Sequence, residues 1–228
     1  MGGTSIKIAT AKPTNDETNP YEILNKKIVV TSDNPDECIQ QICDFFVQNG
    51  PISSLGIASF GPLCLNKTSA DYGSIMNTPK YKWIKYSLVK QISNQLDSQL
   101  DIDIDTDVNA AAKFEFEKGG HKATKNLAYV TIGTGVGVGF VINGQTVTGL
   151  THPEGGHMMV ARHPDEIQGF EKGVCMYHDH CIEGYCTNVS IAKRYNISVH
   201  DLPNLKDSDK VWDLVAYYIA VLCMNVTL

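Results

Sequence analysis

A chain of 228 residues fits one large domain or two small ones. With 43% apolar and 19% charged residues it has material for a buried core, which excludes a disordered polymer. Its formal charge of −6 offers no general attraction to nucleic acid or to an anionic membrane, so neither is expected as a partner.

Ile6–Ala9 and Lys27–Val30 read as short strands, with the polar stretch Pro13–Pro20 as the loop between them. Asn34-Pro35-Asp36 is a helix start, and Cys38, Ile39, Ile42, Phe45 and Phe46 then recur at helical spacing through Gln48. Leu55–Ser59 is a small buried strand ending in the turn Phe60-Gly61-Pro62, and Asp71–Trp83 is a long loop. Leu88, Ile92, Leu96 and Leu100 mark a second helix. Asp101–Asp105 alternates Asp with Ile as a strand does, and Asp107–Lys118 reads as an Ala-rich helix. This order is α/β.

After Gly119-Gly120 two β-branched runs, Leu127–Ile132 and Val136–Ile142, form a hairpin through Gly133-Thr134-Gly135. Two lobes are expected, residues 1–110 and 111–228, the second carrying a Cys/His-rich loop over 152–186 and a short helix near Ser190–Arg194. A last helix starts near Ser208 and reaches Leu228 with no C-cap glycine, so the fold is expected to lack its C-terminal part. Its apolar stretch, Leu214–Leu228, is broken by Tyr217, Tyr218 and Asn225 and is shorter than the roughly 20 residues of a membrane span. The start, MGGTSIKIAT, has neither the basic region nor the apolar run of a signal peptide, so a reducing cytoplasmic location is expected. There, seven cysteines read as free thiols and metal ligands instead of disulfides.

Gly133-Thr-Gly-Val-Gly-Val-Gly139 lies between two strands, which disfavours a Rossmann turn or a P-loop, since both need a helix after the glycines. It reads either as a tight turn or as a hairpin loop whose glycines permit positive φ and let N–H groups approach an anion closely. Gly2-Gly3-Thr4 before the first strand is a second turn of that kind. Asp105-Thr106-Asp107-Val108-Asn109 joins a strand end to a helix, where a carboxylate serves as general base or as helix cap. His157, Cys175, His178 and Cys181 supply four ligands for a tetrahedral structural zinc, with His180 and Cys186 as alternatives. Glu154 and Glu183 place carboxylates beside that loop, suited either to sugar hydroxyls or to plain solvent exposure.

These stretches, with Gly56–Leu63, Thr78-Pro79-Lys80, Trp83 and Arg162-His163-Pro164, resemble in order the ROK family of sugar kinases and sugar-responsive repressors, most closely its fructokinase branch. The resemblance implies a two-lobed actin-like ATPase fold of the ribonuclease H-like type, with sugar and ATP meeting between the lobes. It makes Asp107 the general base that deprotonates the 6-hydroxyl of a hexose, in the first place D-fructose, for attack on Mg2+-ATP. Gly2, Gly3, Thr4, Gly133, Thr134, Gly135 and Gly137 become phosphate loops. Gly61, Lys80, Asn109, Glu154, His157 and Glu183 become sugar contacts, and His157, Cys175, His178 and Cys181 the zinc ligands. A homodimer is implied. The rival readings are a sugar-responsive regulator, whose DNA-binding helix-turn-helix has no counterpart in this sequence, and a catalytically inactive sugar-binding fragment.

Overall fold

The computed structural model describes all residues except 17, 18, 121, 122, 149–151 and 228. It resolves into two compact units, one of residues 1–127 and 140–152, the other of 128–139 and 153–228. The chain therefore first changes unit after Leu127, and the helix that a boundary near residue 110 would cut stays whole in the first unit.

In the first unit β1 (Ser5–Pro13) and β2 (Tyr21–Val30) form an antiparallel pair with a register shift at Thr10/Ala11. Both strands run several residues beyond the apolar runs that announce them, because main-chain pairing continues where the side chains turn polar. Helix α1 (Pro35–Asn49) starts with Pro35 in its first turn, a position where a missing N–H costs nothing. It buries Cys38, Ile39, Ile42, Cys43, Phe45 and Phe46. Strand β3 (Ser54–Ser59) pairs in parallel with β4 (Asp101–Thr106), the connection running through α2 (Leu88–Gln95). Helix α2 ends before Leu96 and Leu100, the last two residues of its expected period. Asp97 stops it: its carboxylate accepts the Gln99 N–H at 2.8 Å, a local turn that competes with helix. Helix α3 (Asp107–Lys118) then follows β4 directly.

Ile6, Ile39, Ile57, Leu63, Ile75, Trp83, Leu88 and Ile104 share one core. Trp83 is fully buried in it and donates its indole N–H to the Ser32 carbonyl at 3.0 Å. The long loop before α2 is thus tied down by its aromatic residues.

Strands β5 (Asn126–Ile132), β6 (Val136–Ile142) and the short β7 (Gln145–Thr146) form a second sheet in that order. In the second unit the Cys/His-rich segment leads into α4 (Ile182–Cys186) and α5 (Asn188–Tyr195), and α6 (Val211–Thr227) follows. The short α4 is absent from the sequence reading because five residues carry no period. Leu228, the expected end of the last helix, lies outside the described residues. Among the described residues no helix is long and apolar enough to cross a membrane.

Candidate functional site

The first unit carries the acidic turn between β4 and α3. Thr106 takes the extended N-cap conformation and its hydroxyl accepts the Asn109 N–H at 3.1 Å, so Thr106 is the cap and neither neighbouring aspartate is. Asp105 instead accepts from the Thr106 N–H at 2.7 Å and from the Asn109 side-chain amide at 2.9 Å. The buried Asn109 also accepts the Phe140 N–H at 3.4 Å, which commits its amide to holding the turn in place.

Asp107 is left in the first turn of α3, its carboxylate accepting the Val108 N–H at 3.0 Å. The residue reaches solvent, yet the surrounding chain desolvates the carboxyl enough to raise its pKa above the ordinary range. The Val108 N–H, the amino terminus of Met1 and His152 pull the other way. A carboxylate raised in this fashion is a stronger proton acceptor than a fully solvated one.

Around that turn Gly3 lies so that a Cβ would sit 3.6 Å from Lys80 Cε. The Gly2 N–H donates to the Ser5 carbonyl at 2.9 Å, and Thr31 donates to the carbonyls of Gly2 and Thr4 at 2.8 and 3.0 Å. Gly2 is therefore turned into its hairpin. Gly61 approaches His152 closely, a Cβ there lying 3.0 Å from Nε2. The same nitrogen accepts the Leu63 N–H at 3.1 Å, which assigns the proton of a neutral ring to Nδ1. His152 did not emerge from sequence because it stands outside the metal-ligand spacing, although it precedes Glu154 by only two positions.

In the second unit the loop Gly133–Gly135 closes with a hydrogen bond from the Gly133 N–H to the Gly135 carbonyl at 2.9 Å, and Asn188 donates to the Gly133 carbonyl at 3.0 Å. None of Gly133, Gly135, Gly137 and Gly139 uses the positive φ that glycine permits. Space is the reason for glycine at 135: a Cβ there would lie 3.0 Å from Glu183 Oε2. That oxygen accepts the Val136 N–H at 3.1 Å, while Oε1 lies 4.0 Å from His157 Nε2. Glu183 therefore joins the glycine loop to the histidine.

His157 Nδ1 stands 3.7 Å from the sulfurs of both Cys175 and Cys181, and His178 Nδ1 stands 3.8 Å from Cys175. One ligand atom from each of the four residues falls within 4.8 Å of all the others. A tetrahedral site with metal–sulfur bonds of about 2.3 Å and metal–nitrogen bonds of about 2.0 Å separates unlike ligands by about 3.6 Å, so the group fits a metal ion of that kind. Both alternative ligands are engaged elsewhere. His180 meets the Tyr185 hydroxyl at 2.7 Å, and Cys186 is buried against the Val215 carbonyl. Glu183 beside His157 is the kind of carboxylate that orients a metal-bound imidazole through its other nitrogen.

A cavity of about 240 Å³ is lined by Thr134, Cys175, Glu183 and Thr187, so the hydroxyl of the glycine loop, one sulfur ligand and one expected sugar carboxylate share a space. Glu154 is exposed and opens the single turn Gly155–His157, its carbonyl accepting the His157 N–H at 2.9 Å. Gly156 packs so tightly that a Cβ would lie 1.9 Å from the Val136 carbonyl. The metal loop is thereby seated on the first residue of β6.

Sequence reasoning missed the support beneath this loop. Glu166 and Arg194 form a two-pronged pair at 2.9 and 2.9 Å with side chains wholly buried. Tyr218 donates to Glu166 at 2.9 Å and accepts the His163 N–H at 2.9 Å. An acid and a base 28 positions apart carry no local signal of pairing; only the partner reveals why a charge is buried.

The α/β chain thus combines a desolvated aspartate at a helix start, glycine turns and a four-ligand Cys/His loop. It matches the ROK family profile over residues 1–227, and the chain belongs to the ROK family. It is 38% identical over 227 residues to a fructokinase of Lactococcus lactis subsp. cremoris, covering 100% of this chain and 72% of that one. A fructokinase of Zymomonas mobilis subsp. mobilis is 39% identical over 204 residues, covering 87% of this chain and 65% of its own. The chain spans 59% of the length of a Bacillus subtilis relative with which it shares 40% identity over 186 residues. In structure it is similar to a ROK family glucokinase from Streptomyces griseus in complex with glucose and AMPPNP, with a TM-score of 0.65 and 20% identity, covering 99% of this chain and 69% of that one. The fold is thus the α/β fold of ROK sugar kinases.

Proposed function

We propose that this protein phosphorylates a hexose with ATP, converting D-fructose to D-fructose 6-phosphate. The observation that carries the reading is identity of 38–39% to two fructokinases, one of them aligned along the whole of this chain. The nucleotide in the Streptomyces griseus complex supports ATP as the donor. In this reading Asp107 takes the proton of the sugar 6-hydroxyl as that oxygen attacks the γ-phosphorus, and the phosphorus–oxygen bond to ADP breaks. Gly2, Gly3, Thr4 and the Gly133–Gly137 loop hold phosphate oxygens, with Mg2+ neutralising their charge. Gly61, Lys80, Asn109, Glu154, His157 and Glu183 position the sugar. The protein acts in the cytoplasm as a homodimer.

A coupled assay of ADP release with fructose, mannose and glucose tests the assignment. Fructose is expected to give the highest kcat/KM. Sugar binding with no ADP release would show instead a sugar-binding chain without catalysis.

Zinc is the metal proposed for His157, Cys175, His178 and Cys181. With four protein ligands no coordination position stays open, so its part is structural, pinning the loop that carries His157 and Glu183. The Cys181 thiol is pushed up to about 11, first by burial, so loading the site must release protons. Elemental analysis is expected to find about one zinc per chain. Cys175→Ser or a strong chelator should remove the metal and lower the thermal midpoint. A metal-free protein of unchanged midpoint would exclude a structural zinc.

A further inference from the structure

The four-ligand loop of the second unit holds two thiols of unequal access. Cys175 is half-buried and lines the cavity of about 240 Å³, whose rim includes the exposed Met176 and Val189. Cys181 is fully buried, and the two sulfurs lie no more than 4.8 Å apart. An accessible thiol with a buried one in reach is the arrangement in which oxidation ends in a disulfide instead of running on to irreversible acids.

Main-chain contacts bring the pair together. The Val174 N–H donates to the Gly184 carbonyl at 2.9 Å, and the Gly173 N–H donates to the Asp179 carbonyl at 2.8 Å. Gly173 packs so closely that a Cβ there would lie 2.8 Å from Gly184 Cα, and a Cβ at Gly184 would lie 3.4 Å from Cys175 Cβ. Cys175 is thus seated against the first turn of α4, whose N-cap is Cys181. Cys181 is held on both sides: the Val160 N–H donates to the His180 carbonyl at 2.8 Å, and the Ile182 N–H donates to the Met158 carbonyl at 3.0 Å. Cys175 instead leads into the exposed Met176 and Tyr177, so the movement needed for bonding falls on its side.

We propose that Cys175 is an oxidation site for hydroperoxides and that Cys181 resolves it, the pair forming a reversible two-electron switch. The Cys175 sulfur attacks the peroxide, the oxygen–oxygen bond breaks, and a sulfenic acid forms as the thiol proton leaves in water or an alcohol. The Cys181 sulfur then displaces the sulfenic hydroxyl, which leaves as water with the Cys181 proton while the sulfur–sulfur bond forms. Each sulfur gives up one electron to the peroxide. Sulfurs no more than 4.8 Å apart close to about 2.05 Å as the Cys175 side chain turns. The disulfide removes two of four metal ligands and takes from His157 Nδ1 both sulfurs that stood 3.7 Å away. Release of zinc rests on the zinc reading, and loss of turnover rests on the kinase reading in which His157 holds the sugar; the disulfide rests on neither.

The test treats the unmutated chain, zinc-loaded and chelator-stripped, with hydrogen peroxide. Intact mass is expected to fall by two hydrogens per chain. After cleavage at Tyr177, which separates the two cysteines in sequence, the fragments should stay joined until dithiothreitol is added. The loaded protein should release about one zinc per disulfide to a chromogenic chelator. Hexose turnover should fall by about tenfold or more and return with dithiothreitol. In Cys181→Ser the Cys175 sulfur should run on to the sulfinic acid, and in Cys175→Ser no link should form. Free Cys175 and Cys181 thiols after peroxide, or a link from Cys175 to Cys186, overturn the proposal. A joined pair with unchanged turnover overturns its use as a switch. Absence of zinc or of turnover in the reduced protein counts against those readings alone, and the joined fragments still decide the disulfide. Because the link is read in the unmutated chain, a variant that fails to fold leaves the test standing.

Discussion

Replacing Asp107 by Asn is expected to lower kcat for hexose phosphorylation by about 10²–10⁴-fold while leaving the dissociation constant for sugar within a few-fold. The substitution keeps shape and a hydrogen-bond acceptor for the Val108 N–H, but removes the group able to accept a proton. Loss of the helix start does not explain such an effect, because Thr106 supplies the cap. The wild-type pH profile provides a second check. A base works only when deprotonated, so activity is lost as pH falls through its pKa, and desolvation places that limb above the ordinary carboxylate range. Asp107→Asn should abolish the limb along with turnover. Retained turnover would remove Asp107 from the base role, whatever the substrate proved to be.

Helix α3 and strands β3 to β6 were legible because each carries an uninterrupted period bounded by its own turn residues, as Gly133-Thr134-Gly135 bounds β5 and β6. The four-ligand loop was legible for a different reason: Cys175, His178 and Cys181 are close in sequence, and side-chain chemistry alone narrows what such spacing does. Non-local relations were not legible. The choice among Asp105, Thr106 and Asp107 as cap depends on backbone angles, and the sequence offers three good capping residues in a row. The count of glycines in the 133–139 loop permits positive φ without requiring it. The determinant at Gly135 is instead the side chain of Glu183, 48 positions away. His152 likewise gains its place from Gly61 and Leu63, 91 and 89 positions earlier.

The same non-local logic sets the largest expected effect on stability. Glu166→Ala leaves Arg194 wholly buried without its carboxylate, a loss of about 3–5 kcal/mol in comparable cases. For a chain of this length that is a fall of about 10 °C in thermal midpoint. Tyr218 loses its acceptor in the same step, although its oxygen still accepts the His163 N–H. Arg194→Met alone should cost a similar amount, since only the hydrogen bonds from Ile167 and Tyr218 would then offset the burial of Glu166. Glu166→Leu combined with Arg194→Met should recover much of the loss, because two apolar side chains leave no buried charge behind. Acid provides an independent reading of the pair. Burial tends to raise the Glu166 pKa, but hydrogen bonds from Arg194, Ile167 and Tyr218 outweigh it and hold the value below the ordinary range. A depressed folded-state pKa contributes stability that is full above the unfolded value of about 4.3 and disappears as pH falls through the folded value. Below about pH 4.3 the midpoint of the wild type should therefore fall more steeply than that of the Leu/Met double variant. Parallel acid curves for the two proteins, or a single variant within a degree or two of wild type, would mean that packing around Tyr185 and Tyr218 carries the fold here and the ion pair does not.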